Sequence, residues 1–356
     1  MKTTAEGDYL VRAEELQALV KAILGRVGVP DEDAALVADS LVKADLRGMN
    51  SHGVLRLPVY VRRLQQGGFK PDRKGRIVRE TAGTVLIDGE HGLGAVLSAR
   101  AMDEAMARAK RNGIGAAGLL NSNHNGEGAY YVLRAVEKGM IGICTTSGSP
   151  ISPPWGGRTK LTGPLPITVG APAGKELPIV LDAALGMSSR GKILYHAEKN
   201  MPLPEGWLVD AEGQPTTDAE HIRKGGWILP IGGYKGWGLV VVMEILAGVL
   251  TGAALGGDAG ELYANVTRHQ KNGQFFIAID VGAFMDLDDF RARMDSYVRT
   301  TKDSEKLAGV EEILMPGEPE FRREQRHLAD GIPLGRKVME EVLALAAELK
   351  VEAPRA

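Results

Sequence analysis

Two short segments, Asn50-Ser51-His52-Gly53 and Asn121-Ser122-Asn123-His124-Asn125-Gly126, each set a histidine among small polar residues and glycine. Histidine has the side-chain pKa nearest neutrality, so it can both give and take a proton at working pH. Glycine beside it removes bulk and lets a ligand or another backbone come close. Two such segments in one chain point to proton-handling chemistry. Arg56 and Tyr60 come after the first, and arginine's planar fork suits a carboxylate held by paired hydrogen bonds. The bland alternative is that His52 caps the helix ending near Gly48 and Arg56 forms a surface ion pair. His124 follows an apolar run and sits in a polar loop, where α/β enzymes commonly place their chemistry; a hydrogen-bonded turn is the alternative. Asp182 ends another apolar run and either appears at a sheet edge or caps the next segment. Lys235 lies among glycines in Gly233-Tyr234-Lys235-Gly236, where a solvated lysine is the default. Pro316-Gly317-Glu318 reads as a turn. His91, His196, His221, His269 and His327 have no partners at metal-ligand spacing, so no metal site is expected.

The elements that must position these groups alternate in type. Helical spacing runs from about Val11 to Leu46, interrupted at Gly25 and Gly28 and reopened at Pro30-Asp31. A third helix is expected from Pro58 to Gly67-Gly68. Thr84–Asp88 reads as a strand, the stretch from Gly92 to Lys110 as a helix, and Ile114–Leu120 as a buried strand leading into His124. Met140–Thr145, Pro178–Asp182 and Gln274–Asp280 are further strands. Ser149–Gly157 is too rich in proline for regular structure. Leu239–Leu250 is an apolar helix, and Asp330–Leu349 an amphipathic one that closes the chain. Strands alternating with helices argue for an α/β fold with helical portions at both termini. The expected division joins residues 1–72 with 325–356 in a helical unit and leaves residues 73–324 as an α/β unit. There is no internal repeat.

Composition narrows the class. The chain has 356 residues and a formal net charge of -2, with 43 basic against 45 acidic residues. Neither nucleic acid nor an anionic membrane is expected as a partner. The 46 glycines are nearly twice the usual share of about 7% and separate apolar runs, as in a loop-rich α/β enzyme. One cysteine, Cys144, rules out an internal disulfide and a cysteine-rich zinc site. The start, Met1 to Asp8, lacks a signal-peptide apolar core and no uncharged apolar run reaches spanning length, so a cytoplasmic protein is the expectation.

No G-x-G-x-x-G, Walker loop, G-x-S-x-G elbow or H-E-x-x-H is present. On motif logic alone a Rossmann dehydrogenase is disfavoured. The ordered set of strings, however, resembles the second type of malate/L-lactate dehydrogenases, which includes L-sulfolactate, ureidoglycolate and diketogulonate oxidoreductases and cyclic ketimine reductases. The matching strings are Ser51-His52-Gly53 to Arg56-Leu57-Pro58-x-Tyr60, Asp88-Gly89 to Gly92-Leu93-Gly94, Asn121–His124, Pro154–Gly157, Val180–Asp182 to Arg190–Ile193, Pro204–Trp207, Tyr234–Gly236, Gly273–Phe276 and Pro316–Glu318. They run in order over about residues 11–340.

The resemblance implies a non-Rossmann NAD(P)-binding α/β fold with a mixed sheet and a homodimer. It implies NAD or NADP as cofactor and a small carboxylate, a 2-hydroxy or 2-oxo acid, as substrate. Under it His52 and His124 are the acid–base candidates and Ser51 positions His52. Arg56 and Tyr60 hold the substrate carboxylate, and Thr162 and Lys235 line the substrate site. His124, Asn125 and Gly126, the strand end Asp182-Ala183-Ala184, and Pro316-Gly317-Glu318 map onto cofactor-contacting stretches. Three departures bear on substrate. Leu161-Thr162-Gly163-Pro164 stands where the family commonly has Gly-Thr-Asn-Pro. Asn125-Gly126-Glu127 replaces an aromatic and small residues. Lys192 stands where ketimine reductases tend to carry an aspartate. The last favours hydroxy-acid chemistry over a cyclic ketimine reductase, with a non-catalytic dinucleotide- or metabolite-binding protein as the reading from another class.

Overall fold

The computed structural model describes residues 2–4 and 7–353. Met1, Ala5, Glu6 and residues 354–356, which belong to the leader reading and to the ends of the expected helical unit, lie outside the described residues. Along the chain come β1 (Lys2–Thr3), β2 (Tyr9–Val11), α1 (Ala13–Arg26), α2 (Asp31–Leu46) and α3 (Leu57–Gln65). Next are β3 (Arg76–Glu80), β4 (Thr84–Asp88), α4 (Gly94–Asn112), β5 (Ile114–Ser122), α5 (Ala129–Glu137), β6 (Met140–Thr146), β7 (Pro166–Ala171) and β8 (Ile179–Ala184). A small outlying portion carries α6 (Arg190–Glu198), β9 (Leu208–Val209), β10 (Pro215–Thr216) and β11 (Trp227–Ile228). The chain ends with α7 (Tyr234–Glu244), β12 (Asn272–Asp280), α8 (Leu287–Lys302), α9 (Glu318–Asp330), β13 (Ile332–Leu334) and α10 (Arg336–Glu348).

Seven strands form one mixed sheet in the order β3-β4-β5-β12-β6-β7-β8. Only β4 and β5 are parallel, and a parallel pair needs a crossover; α4 supplies it. The alanines of α4 (Ala99, Ala101, Ala105, Ala109) are buried against Ala117, Leu119, Phe276 and Ala278 of the sheet. Their small side chains let the helix lie close: a Cβ on Gly115 would come within 2.2 Å of the Ala105 carbonyl. The carboxyl ends of β4 and β5 therefore lie side by side, the usual place for a ligand in an α/β sheet. A second core joins α1, α2, α3 and α10 around Leu16, Ile23, Leu41, Leu57 and Val342.

The expected α/β architecture with a mixed sheet and terminal helices is what the chain forms. Two local expectations are corrected. The closing helix does not begin at Asp330: Gly331, at φ +101°, ends α9, and Ile332-Pro333-Leu334 pairs with β2 before α10 starts at Arg336. Proline lacks the N–H that a helix interior needs there. The apolar segment expected over Leu239–Leu250 begins earlier, at Tyr234, and passes into a π-helical turn at Ile245–Val249. Its apolar residues face outward as well as inward. No helix of the described residues is long and apolar enough to cross a membrane.

Candidate active site

The first histidine is fixed by the segment between α2 and α3. Two single 3-10 turns, Asn50–His52 and Val54–Arg56, lead directly into α3. The buried Asp45 carboxylate accepts the Val54 N–H at 2.8 Å. A Cβ on Gly53 would stand 2.0 Å from that carboxylate, so only glycine lets the chain pass. Burial pushes the Asp45 carboxyl up to about 7, against the lowering effect of the Val54 N–H. His52 Nδ1 lies 2.9 Å from Ser51 Oγ and caps no helix among the described residues. Arg56 is equally remote from the surface-pair reading: its Nε donates to the Ser51 carbonyl at 2.6 Å and its Nη1 to the Tyr263 hydroxyl.

The second histidine stands just beyond the carboxyl end of β5. Its backbone N–H donates to Gln270 Oε1 at 2.9 Å. The preceding Asn123 donates to the His91 and Gly92 carbonyls, and a Cβ on Gly94 would lie 2.3 Å from the carbonyls of Asn123 and His124. The ring is thus carried by an immobilised loop. Its Nδ1 lies 2.6 Å from the Tyr60 hydroxyl and 3.4 Å from the Gly126 N–H. A backbone N–H can only donate, so Nδ1 accepts and the neutral ring carries its hydrogen on Nε2.

The two imidazoles meet. Their centroids are 5.7 Å apart and the rings 17° from parallel. Burial holds the His52 pKa down to about 4, helped by the Arg56 charge. Burial likewise holds His124 well below the ordinary value, followed by Arg56 and then His52. Both rings are therefore neutral at pH 7. A guanidinium, a phenol and two neutral imidazoles in one place can hold an anion and accept a proton from a neighbouring hydroxyl.

The other expected residues divide into two groups. One adjoins the His124 loop. Asp182 accepts from the Ala129 N–H and the Thr168 hydroxyl, each at 2.8 Å; its carboxylate caps α5 and does not project from the sheet. A Cβ on Gly128 would touch Thr168 and Asp182, and one on Gly317 would lie 2.8 Å from the Val180 carbonyl. The Val180 N–H donates to the Pro316 carbonyl at 3.0 Å. Residues 126–128 thus pack on Asp182, and Pro316-Gly317-Glu318 on Val180, two residues further back along β8, so that segments far apart in sequence follow the same edge strand. Gly126, at φ +78°, faces open space. Glu318 closes the expected turn, its N–H donating to the Met315 carbonyl at 3.0 Å, and also begins α9; Lys302, Arg322 and the Met315 N–H engage its carboxylate. Close-lying backbone and glycines next to a proton-transfer pair fit an extended dinucleotide. Asn125, between them, is buried and donates to Ser98 Oγ at 3.2 Å.

Thr162 and Lys235 form the second group, and no hydrogen bond joins them to the histidines among the described residues. Thr162 donates to Glu244 at 2.7 Å in a wall shared by cavities of about 420 and 400 Å³. Lys235 is exposed in the first turn of α7. Gln270, Tyr263 and the buried pair of Arg47 with Glu127 carry no signal in the sequence, except that Glu127 is one of the departures at 125–127 from the aromatic and small residues of the family.

Similarity to known proteins extends along nearly the whole chain. A family model described as malate/L-lactate dehydrogenase matches residues 11–343. A malate dehydrogenase from Pyrococcus horikoshii is 39% identical over 96% of this chain and 96% of its own. An L-sulfolactate dehydrogenase from Methanothermobacter thermautotrophicus is 39% identical over 96% of this chain and 97% of its own. The solved structure of sulfolactate dehydrogenase from Methanocaldococcus jannaschii superposes with a TM-score of 0.91 at 36% identity, covering 97% of this chain and 98% of that one.

Proposed function

Because this chain belongs to the malate/L-lactate dehydrogenase family, and so is an NAD(P)-dependent oxidoreductase, we propose that it interconverts a small 2-hydroxy acid and the matching 2-oxo acid. The observation that carries the reading is the meeting of His52, His124, Tyr60 and Arg56 at one point, just beyond the carboxyl end of β5. A bound nicotinamide supplies the hydride exchange with carbon 2 of the acid. The protein handles the carboxylate and the proton. Arg56 holds the carboxylate, and Tyr60 fixes the His124 ring through Nδ1. In oxidation a neutral imidazole takes the hydroxyl proton: His52 at the ring nitrogen turned away from Ser51, or His124 at Nδ1, where the Tyr60 hydroxyl passes on its own hydrogen as it takes that of the substrate. In reduction the same ring, protonated, returns it by the same route to the developing alkoxide. Ser51 sets the orientation of His52. Lys192, whose ammonium lies 5.0 Å over the Trp207 ring, offers no carboxyl group where ketimine reductases tend to carry an aspartate.

Cofactor absorbance with malate, lactate, sulfolactate, ureidoglycolate and piperideine-2-carboxylate, each with NAD and NADP, tests the reading. Turnover of the hydroxy acids is expected. Turnover of the cyclic imino acid alone would replace this reading with a ketimine reductase, and tight dinucleotide binding without any turnover would replace it with a binding protein.

Arg56 connects binding to proton transfer. A bound carboxylate neutralises the cation that helps hold both histidines down, so their pKa values rise as substrate arrives. Arg56→Gln is expected to raise KM for the acid about 10–100-fold, the scale of a charge-assisted hydrogen bond. It is also expected to move the acid limb of the kcat/KM profile for oxidation to higher pH. The shift is partial, because burial is the larger cause of the low values. An unchanged KM and profile would remove Arg56 from the site.

A second copy of the chain is the proposed partner. Leu239, Val242, Ile245, Val249 and Leu250 leave 45–59% of their surface exposed along α7 and its π-turn, and a contiguous apolar strip of that kind marks an interaction surface. Light scattering is expected to give a dimer, and Val249→Glu a monomer; a wild-type monomer would overturn the assignment.

A further inference from the structure

Arg56, Tyr60 and Arg63 stand at i, i+4 and i+7, on one face of α3 and its leading turn. The first two belong to the site already described. The third is fully buried, its guanidinium 4.9 Å over the Phe69 ring. It donates to the carbonyls of Glu261, Leu262 and Asn265 at 3.2, 3.0 and 3.0 Å, and to that of Arg268. Four carbonyls of one loop are thus gathered onto a single side chain. Backbone contact closes the arrangement: a Cβ on Gly68 would lie 2.0 Å from the Val266 carbonyl. Gln270, at the far end of the same loop, accepts the His124 N–H. Residues 261–270 are therefore built onto the site.

What that loop presents is Tyr263. Its ring lies under the Arg56 guanidinium, 5.4 Å from Cζ to centroid, and its hydroxyl accepts from Nη1. A phenol that accepts from arginine keeps its own hydrogen free to donate. Nη2 of Arg56 has no protein partner among the described residues. Two donors, one charged and one neutral, are left next to each other, while 58% of the tyrosine remains open to solvent. We propose that Tyr263 is a substrate-contacting residue that completes, with Arg56, a two-donor cradle for the carboxylate of the acid, and that Arg63 is the positioning residue that holds its loop there. Tyr263 also forms the outer wall of the cradle, so this loop sets the room left for whatever carbon 3 carries.

The inference rests on the reading of Arg56 as the carboxylate-holding residue, and two measurements separate their failures. In steady-state kinetics at saturating cofactor, Tyr263→Phe keeps the ring over the guanidinium and removes only the donor. It is expected to raise KM for the acid about tenfold, with kcat within about threefold of wild type and the cofactor KM unchanged. In the Arg56→Gln background the same change is expected to add less than about threefold, because the two donors act on one group. Calorimetric titration with oxalate, a carboxylate probe that needs no turnover, is expected to show the same tenfold weakening. An unchanged KM and oxalate affinity in Tyr263→Phe, a full further tenfold in the double variant, or no oxalate binding by the wild-type protein would each overturn the cradle. If no 2-hydroxy acid is turned over but oxalate binding still weakens, the cradle stands and the function reading falls. Tyr263→Phe at wild-type KM with active hydroxy-acid turnover is the reverse case.

Discussion

His124→Ala is expected to lower turnover by about 10²–10⁴-fold, the usual worth of a positioned acid–base group, while the protein stays folded. The ring is anchored from both sides, yet little of the fold depends on it. The His124 backbone is held by Gln270, and Asn123 supports the loop from the other face. Removing the imidazole deletes its bonds to Tyr60 and the Gly126 N–H and its stacking on His52. His52→Ala removes a ring whose one side-chain hydrogen bond among the described residues is to Ser51. The variant with the deeper loss in kcat identifies the ring that exchanges its proton with the substrate, and the partner is expected to act chiefly through the shared electrostatics. Single-turnover rates, with circular dichroism to check the fold, make the comparison. Near-wild-type turnover in both variants would end the mechanism.

The site was legible in sequence where the chemistry was local. Ser51-His52-Gly53 declares itself because Gly53 is forced by Asp45 and because Arg56 and Tyr60 come one helical turn apart just after it. Asn121–His124 stands out because a polar run directly after an apolar strand has few other uses. What the sequence hides is long-range. Gln270 lies 146 residues from the histidine whose loop it holds, and Tyr263 lies 207 residues from Arg56, in a loop without a distinguishing pattern. No periodicity announces that Arg63 is a buried spool and not a solvated charge. The fold shows the same division. The βαβ unit of β4, α4 and β5 is readable from alternation and alanine spacing, whereas the break at Gly331 and the short pairing of Ile332–Leu334 with β2 depend on a partner more than 320 residues upstream. The outward apolar face of α7 reads in sequence like any buried helix, because apolar spacing does not say what will cover it.

The second large effect lies beneath the site. Arg47, 1% exposed, pairs through Nε with Glu127 Oε1 at 3.0 Å, and the glutamate side chain is 2% exposed. The guanidinium also lies 5.0 Å over the Phe321 ring. The pair joins the two histidine loops, since Arg47 precedes His52 by five residues and Glu127 follows His124 by three. Breaking a buried pair from one side strands the other charge, which typically costs about 3–5 kcal/mol. Arg47→Ala is expected to lose that much in denaturant unfolding at pH 8. The pH dependence distinguishes this cause from simple loss of packing. Burial already pushes the Glu127 carboxyl up to about 7 despite the lowering effect of Arg47. A carboxyl whose folded pKa exceeds its unfolded value near 4.5 holds its proton better when folded. Its stabilising contribution is complete below 4.5 and lost as pH rises through the folded value. Without Arg47 the folded value climbs further, so the loss continues beyond pH 7 while in wild type it has ended. The stability deficit of Arg47→Ala is therefore expected to be smaller at pH 5 and to widen as pH rises past 7. Arg47→Ala with Glu127→Gln removes the stranded charge and should recover much of the deficit at pH 8. A deficit independent of pH, and unrelieved in the double variant, would mean that the arginine acts through its packing on Phe321 and its ion pair with Glu324, 3.7 Å away, and not through Glu127.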